Sequence, residues 1–158
     1  MIEDLFYSMD LNIKKIFSNL ELDLFRLFHK KVRIHPVAII VQRGFLFFFV
    51  KNEDYFKAKS RIKYIRDYLP NKKLLVIRLE KTIAKIVFGF FPDVYIHNLD
   101  LEIDKTTGEI IITIILLTYE DRLIAIGANG NYIKAVNEIF DKFIFPVKVK
   151  CKVGKYNS

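Results

Sequence analysis

The segment that decides the fold is Asp121-Arg122-Leu123-Ile124-Ala125-Ile126-Gly127-Ala128-Asn129-Gly130-Asn131-Tyr132-Ile133-Lys134-Ala135-Val136. Its pattern predicts a short apolar helix, a Gly-x-x-Gly turn and the start of a longer helix. Two glycines that flank two small residues let the backbone come close to a sugar-phosphate chain. The helix that follows points its unpaired N–H groups and its positive dipole end at the same place. The segment therefore predicts a grip on nucleic acid that does not depend on reading bases.

The longer helix is predicted to be amphipathic. Its apolar side chains fall on one face, which we expect to be buried. These side chains are Ile133, Val136, Ile139, Phe140 and Phe143. Lys134 projects near the N-terminal end of the helix, towards any bound phosphate.

Outward from this segment, the chain predicts the same order of elements twice: helix, two strands, two helices and a strand. In the first half these are a helix over Leu11–Phe28, a hairpin of Val32–Val41 and Phe45–Val50 around Gln42-Arg43-Gly44, a helix striped by Ile62, Ile65, Tyr68 and Leu69, and a strand over Leu74–Leu79. In the second half a helix over Thr82–Phe90 precedes strands near Val94–Ile103 and Glu109–Leu117, joined by a turn at Lys105–Gly108, with Leu101 and Ile103 turned inward. The chain is thus predicted to contain two related units, residues 1–80 and 81–158, packed together without a flexible tether.

The charge of the chain favours a polyanionic partner. The formal net charge is +8, and residues 1–80 carry 16 basic and 9 acidic side chains against 10 and 9 in residues 81–158. In the densest basic cluster only Asp67 opposes the positive charges. The cluster consists of Lys57, Lys59, Arg61, Lys63, Arg66, Lys72 and Lys73. It is interpreted either as a phosphate-binding surface or as a solvated helix face.

An apolar helix before the Gly-x-x-Gly turn, an amphipathic helix after it, two preceding strands and a final strand are the context of a KH module. Residues 120–135 resemble the second KH domain of NusA transcription factors, and most closely the short archaeal form. That form has two KH domains and lacks the further N-terminal and OB-fold domains of bacterial NusA. The likeness extends more faintly to Phe49-Val50-Lys51 and to residues 82–92, Thr-Ile-Ala-Lys-Ile-Val-Phe-Gly-Phe-Phe-Pro.

The resemblance implies an α/β fold of the α+β kind: tandem type II KH domains, each a three-stranded sheet with helices packed on one face. It implies a factor that holds single-stranded RNA and acts with RNA polymerase in transcription elongation, termination or antitermination. The implied RNA-binding residues are Gly127, Ala128, Asn129, Gly130, Lys134 and Arg122. A base-binding groove is implied at Ile124, Ile126 and Ile133, for which core packing is the alternative.

The first unit departs from this pattern, because the region that should hold its loop reads Tyr55-Phe56-Lys57-Ala58-Lys59-Ser60-Arg61 and contains no glycine. A backbone clamp is therefore not expected there. We expect Lys57, Lys59 and Arg61 to contact phosphates through their side chains.

Two other functions remain open. Small-subunit ribosomal and ribosome-assembly proteins also use KH units with this order of elements and are strongly basic. In a protein-interaction module, the Gly-x-x-Gly turn would have no ligand. Association with polymerase or with the small ribosomal subunit separates the first two functions, and RNA binding separates both from the third.

Catalysis and metal binding are not expected. No Ser, Cys or His arrangement resembles a catalytic triad, Cys151 is the single cysteine, and His29, His35 and His97 lack the spacing of a helical metal pair. Asp100-x-Glu102-x-Asp104 opens like a calcium loop, but lysine follows at position 105 where glycine is required. The sequence therefore predicts neither an enzyme nor a bound cofactor or metal.

No membrane association is expected, since the apolar runs are too short to span a bilayer. The acidic residues and lack of basic residues in positions 1–10 are wrong for a cleaved signal or transit peptide. A reducing compartment is predicted, the cytoplasm or alternatively an organelle stroma or matrix.

Overall fold

The computed structural model describes residue 13 and residues 17–155, which contain two three-stranded sheets and confirm the predicted α+β class. The first half contains α1 (Asn19–Val32), β1 (Ala38–Gln42), β2 (Phe45–Val50), α2 (Tyr55–Arg61), α3 (Lys63–Arg66) and β3 (Lys73–Arg78). The second half contains α4 (Ile83–Phe90), β4 (Ile96–Ile103), β5 (Ile110–Leu116), α5 (Tyr119–Ile126), α6 (Asn131–Ile139) and β6 (Lys148–Val153). Short 3-10 turns precede α2 and α6, and a π-helical turn, Phe140–Ile144, follows α6.

Both halves have the same topology. In the first, β1 and β2 are antiparallel, and α2 and α3 carry the chain over to β3, which lies parallel to β2. In the second, β4 and β5 are antiparallel, and α5 and α6 lead to β6, parallel to β5. The strand order is β1-β2-β3 in the first sheet and β4-β5-β6 in the second, so β2 and β5 are the central strands. The predicted boundary at 80/81 lies between β3 and α4.

The helix α1 is fixed at both ends by local hydrogen bonds. Ser18 and Glu21 form a capping box, in which the Glu21 amide donates to Ser18 Oγ at 3.2 Å and the Ser18 amide donates to Glu21 Oε1 at 3.0 Å. Arg33 ends the helix in the left-handed conformation, with φ of 65°. The helix therefore runs four residues beyond the predicted end, and the strand predicted from Val32 begins at Ala38. Of the predicted helix start, residues 11, 12 and 14–16 lie outside the described residues, as do residues 1–10.

The hairpin of the first sheet closes on a two-residue turn. Arg43 and Gly44 both have positive φ, 51° and 79°, the combination that matches the right-handed twist of antiparallel strands. Register pairs Gln42 with Phe45 and Ala38 with Phe49. The predicted strand Phe45–Val50 is confirmed at both ends.

All six side chains of β2 are buried because both faces of the first sheet are covered. On one face Leu46, Phe48 and Val50 pack in a cluster with residues of α1, α2 and α3. On the other face Phe45, Phe47 and Phe49 belong to a larger cluster that includes α4, β5, α5 and α6. The helices of the first half therefore pack on one face of the first sheet, elements of the second half cover the other face, and the larger cluster is a shared core that joins the two halves.

Aromatic contacts lie at the centre of this shared core. The Phe47 ring is 5.8 Å from that of Phe90 in α4 and 6.1 Å from that of Tyr132 in α6, between ring centroids. The Tyr132 hydroxyl donates a hydrogen bond to the Phe90 carbonyl oxygen. Burial raises the pKa of Tyr132, so this hydroxyl keeps its proton and remains a donor.

Polar contacts join the hairpin turn of the first sheet to α6. Arg43 places Nε and a terminal guanidinium nitrogen 2.7 Å from Glu138 Oε1, and the Gln42 side-chain amide donates to Glu138 Oε2. Partial desolvation raises the pKa of Glu138, but hydrogen bonds from Arg43 and Gln42 outweigh this effect and lower it. The β1–β2 turn is thereby held against the second half, at the C-terminal part of α6.

Two side chains predicted to face inward are exposed. Tyr68 follows the end of α3, and its ring lies on the surface 4.9 Å from the ammonium nitrogen of Lys31. Ile103 is the last residue of β4, at the β4–β5 turn, where the sheet no longer has a layer to cover it. The inward orientation of Leu101 is confirmed, since Leu101 packs partly buried against the shared core.

No helix within residues 17–155 is both long enough and apolar enough to cross a membrane.

Candidate nucleic-acid interface

The turn between α5 and α6 requires glycine at position 127. Gly127 has φ of 81° and ψ of 172°, a region that is almost restricted to glycine. A Cβ atom on Gly127 would lie 2.7 Å from Tyr132 Cβ and 3.0 Å from the Tyr132 backbone nitrogen. Both the conformation and the close approach of α6 therefore exclude a side chain here.

The next residues reverse the chain into α6. Asn129 and Gly130 are both left-handed, with φ of 57° and 71°, and the Gly130 amide donates to the Gly127 carbonyl oxygen at 3.1 Å. A Cβ atom on Gly130 would make only ordinary contacts, the nearest with Lys134 Cε at 3.7 Å. Glycine is thus favoured at 130 by its dihedral angles alone, and at 127 by both angles and space.

The tip of the turn is accessible to a ligand. Ala128 and Asn129 are exposed, and Gly127 and Gly130 are half-buried. No side chain from residues 17–155 caps the N-terminus of α6, and the positive end of its dipole is directed at the turn. Lys134 is exposed, and its Nζ lies 3.4 Å from the Asn129 carbonyl oxygen. The turn, the helix start and this ammonium group form one electropositive surface, which we call the Gly loop, residues 127–134.

An apolar cleft of about 230 Å³ opens beside the Gly loop. Ile124, Ala125, Gly127 and Tyr132 line one side of it, and Ile124 is 52% exposed. Residues of the first half and of the segment after α4 line the remainder: Phe45, Lys73, Leu75, Phe90, Phe91, Pro92, Asp93 and Val94. The groove next to the loop is therefore built by both halves together, with its apolar lining facing solvent at Ile124.

A second, smaller cleft of about 170 Å³ brings basic side chains of the first half to the Gly loop. It is lined by Arg43, Gly44 and Lys73 across from Ala128 and Asn131, with Phe45 and Asn71 completing it. Arg43 also places a guanidinium nitrogen 3.5 Å from Asn131 Oδ1. Sequence reasoning did not assign Arg43 or Asn131 to the site. No pattern in the chain could have done so, because the contact between Arg43 and Asn131 spans 88 residues.

The other predicted site residues are distributed over the surface and the core. Ile126 is half-buried, and Ile133 packs partly buried against the shared core. Arg122 is half-buried on α5, close enough to Cys151 of β6 for its charge to act on the thiol; burial nevertheless raises the pKa of Cys151 to about 11. Of the three isoleucines, Ile124 alone is mainly exposed.

The basic residues predicted in the first unit lie on α2. Lys57 and Lys59 are exposed, whereas Arg61 is half-buried and donates to the Val32 carbonyl oxygen at 3.2 Å, at the end of α1. None of the three lines the clefts beside the Gly loop. Ile62, between α2 and α3, has ordinary helical angles, φ of −57° and ψ of −27°. The chain is helical where the second half has its open turn, and the Tyr55–Arg61 segment offers side chains but no bare backbone.

In the described part of the chain, no three His, Cys, Asp or Glu side chains lie close enough together to hold a metal ion. The rings of His29 and His35 stack on each other, with their centroids 3.9 Å apart.

Comparison with models of protein families and with curated protein sequences gives no match. Among solved structures the chain is similar to the crystal structure of APE1850, with a TM-score of 0.65 and 24% sequence identity. The likeness covers 86% of this chain and 100% of that one. At this level of identity the likeness concerns the fold alone, and an experimentally determined protein therefore shares this arrangement of helices and strands.

Proposed function

We propose that the protein binds single-stranded RNA through the Gly loop, as a NusA-like transcription factor with two KH units of which the second clamps the RNA backbone. The observation that carries the proposal is the exposed tip at Ala128 and Asn129, in the turn between Gly127 and Gly130 that leads into α6. A turn that lacks side chains at both glycines, is exposed at its tip and leads into a helix with no side-chain cap among the described residues is suited to holding phosphates through backbone N–H groups.

The repeated topology supports the two-KH interpretation. In each half an antiparallel pair of strands is followed by two helices and a parallel strand. The Gly loop lies between the two helices, where a KH module has its clamp. The apolar cleft at Ile124 supplies a surface for bases beside the phosphates, Lys73 supplies positive charge in its lining, and Lys134 supplies it at the Gly loop.

Replacing Ala128 and Asn129 together by aspartate tests the RNA site. Two carboxylates at the exposed tip would repel phosphates, while Asp tolerates the left-handed angles of position 129. We expect affinity for single-stranded RNA to fall at least about tenfold, since each charge-assisted hydrogen bond contributes about 1.5–3 kcal/mol. Fluorescence anisotropy at fixed salt measures the affinity, and circular dichroism verifies that the variant is folded.

A matched control carries the same charge change away from the loop. Thr106→Asp with Thr107→Asp places two carboxylates in the exposed β4–β5 turn, where neither residue lines a cleft next to the Gly loop. This variant should retain most of the RNA affinity. Equal affinity of both double variants and the parent protein would remove the Gly loop as the binding site.

The partner is a separate expectation, tested by affinity capture of the tagged protein from cells. We expect RNA polymerase to be recovered with it after ribonuclease treatment, because a factor acting on transcription contacts the enzyme as well as the transcript. Recovery of the small ribosomal subunit without polymerase would favour the ribosomal alternative, which the net charge of +8 also suits.

A further inference from the structure

The guanidinium group of Arg78, at the end of β3, is held by aromatic rings instead of acceptors. Its central carbon lies 4.4 Å from the centre of the Tyr55 ring and 5.0 Å from that of Phe56. Its Nε is buried and has no hydrogen-bond partner among the residues that the structure describes. The buried Nε is therefore not engaged by an acceptor of the described chain, and the guanidinium group is held in place by ring contacts instead of an internal ion pair.

Arg78 borders a cleft of about 490 Å³ between the first half and α4. The cleft is lined by Tyr55, Arg78, Glu80, Lys85, Phe88, Gly89 and Pro92. Its volume falls within the range of about 300–1,000 Å³ that small-molecule sites occupy. The helix α4 lies close to β3 at Gly89, where a Cβ atom would be in ordinary contact with the Arg78 carbonyl oxygen at 3.5 Å.

Apolar rings are presented to solvent at this cleft. Phe88 in its lining is 46% exposed, and Phe56, which contacts Arg78, is 74% exposed. Aromatic faces beside arginine and lysine are the combination on which unpaired bases stack while their phosphates bind the cations. Among the described residues that line the cleft, the two cations of Lys85 and Arg78 outnumber the carboxylate of Glu80. The chemistry therefore fits a nucleotide better than an acidic or purely apolar partner.

The position of Pro92 relates this cleft to the Gly loop. Pro92 lines the 490 Å³ cleft and also the 230 Å³ cleft that contains Ile124 and Gly127. An RNA strand that runs from the Gly loop along the apolar cleft would therefore reach Pro92 and, beyond it, the 490 Å³ cleft, which we call the aromatic cleft.

We propose that the aromatic cleft is a second RNA subsite, in which a base stacks on Phe88 and Phe56 and its phosphate accepts hydrogen bonds from Arg78 and Lys85. Located where the first half meets α4, this subsite binds RNA through side chains, whereas the glycine-free Tyr55–Arg61 segment cannot do so through its backbone. It rests on the proposed RNA binding in that both sites hold the same strand.

The test compares RNA lengths. A KH clamp holds about four nucleotides, so an oligouridylate of about four nucleotides fills the Gly loop, whereas one of about ten can also reach the aromatic cleft. Phe56→Ala with Phe88→Ala should weaken binding of the longer RNA about 5- to 100-fold, as stacking is lost, and leave binding of the shorter RNA unchanged. Tyr119→Ala, which removes a ring 73% exposed on α5 outside these clefts, is the matched control and should change neither.

Arg78→Met keeps a side chain against the rings but removes the donors. It should flatten the plot of log affinity against log salt by about 0.7 for the longer RNA, the value for one phosphate contact on single strands. An unaltered slope, together with full affinity of the double phenylalanine variant for the longer RNA, would overturn the subsite. The same result accompanied by loss of polymerase capture would make the cleft a protein-docking surface, which also overturns it.

Failure of the two proposals can be told apart with the Ala128→Asp, Asn129→Asp variant. If this variant loses both RNAs and the phenylalanine variant loses neither, the Gly loop stands and the aromatic subsite fails. If the loop variant binds both RNAs normally and the phenylalanine variant loses the longer one, the aromatic cleft binds RNA and the Gly loop proposal fails.

Discussion

Replacing Phe47 by alanine is expected to lower the free energy of unfolding by about 3–5 kcal/mol, the usual cost of deleting a fully buried phenylalanine ring. The ring packs on Phe90 and Tyr132, so the cavity would open between the halves, where neither sheet can close it alone. Urea unfolding followed by circular dichroism measures the loss. Tyr119→Ala, at an exposed position, should stay within about 0.5 kcal/mol of the parent protein.

The same variant tests whether the two halves share their stability. Because Phe47 belongs to the core that also contains Ile112 and Ile114 of β5, amide exchange should accelerate in β5 as well as in β2. If exchange accelerates in the first sheet alone, the halves unfold independently, which would contradict a stabilising role of the shared core.

Gly127→Ala is expected to have the second largest effect, because it changes both stability and RNA binding. The φ and ψ angles at this position cost a non-glycine residue about 1–3 kcal/mol, and the new Cβ would meet Tyr132 Cβ at 2.7 Å. Tyr132 is buried between the halves and cannot retreat, so the Gly loop must shift. We expect RNA affinity to fall more than about tenfold, an effect of about 1.4 kcal/mol.

Gly130→Ala provides the comparison for stability. Position 130 is left-handed as well, at a cost of about 1–2 kcal/mol for an L-residue, but its Cβ would have room. Thermal and urea unfolding should therefore show that the Gly127→Ala variant is less stable than the Gly130→Ala variant. The reverse order would contradict the close contact with Tyr132 as the reason for glycine at 127.

Local patterns account for the elements that sequence reasoning placed well. Phe45–Val50 is an unbroken apolar run after a turn glycine, and the positive φ values of Arg43 and Gly44 close the hairpin where the sequence places it. The Gly loop was likewise predictable from two glycines between a short apolar helix and an amphipathic one. In both cases the deciding interactions lie within a few residues of each other.

The remainder depended on contacts between distant residues. The end of α1 is set by the left-handed Arg33 rather than by a break in the apolar pattern. Arg43 contacts Glu138 of α6 across 95 residues and Asn131 across 88, and the contact with Asn131 places the first hairpin beside the Gly loop. Tyr55, Phe56 and Arg78 meet only because β3 ends next to the start of α2. Periodicity and composition contain no information about contacts between distant residues, so the clefts made by both halves were not predicted.

The covering of β2 on both faces has a consequence for synthesis of the protein on the ribosome. The strand Phe45–Val50 emerges well before α6, and at about 5–20 residues per second the interval of roughly ninety residues lasts on the order of 5–20 seconds. During that time this phenylalanine-rich sheet surface first lacks α4 and then, until α6 emerges, the Tyr132 ring that completes its cover. The nascent first half is therefore a natural client for a chaperone, and a fragment that ends after β3 should aggregate when expressed alone.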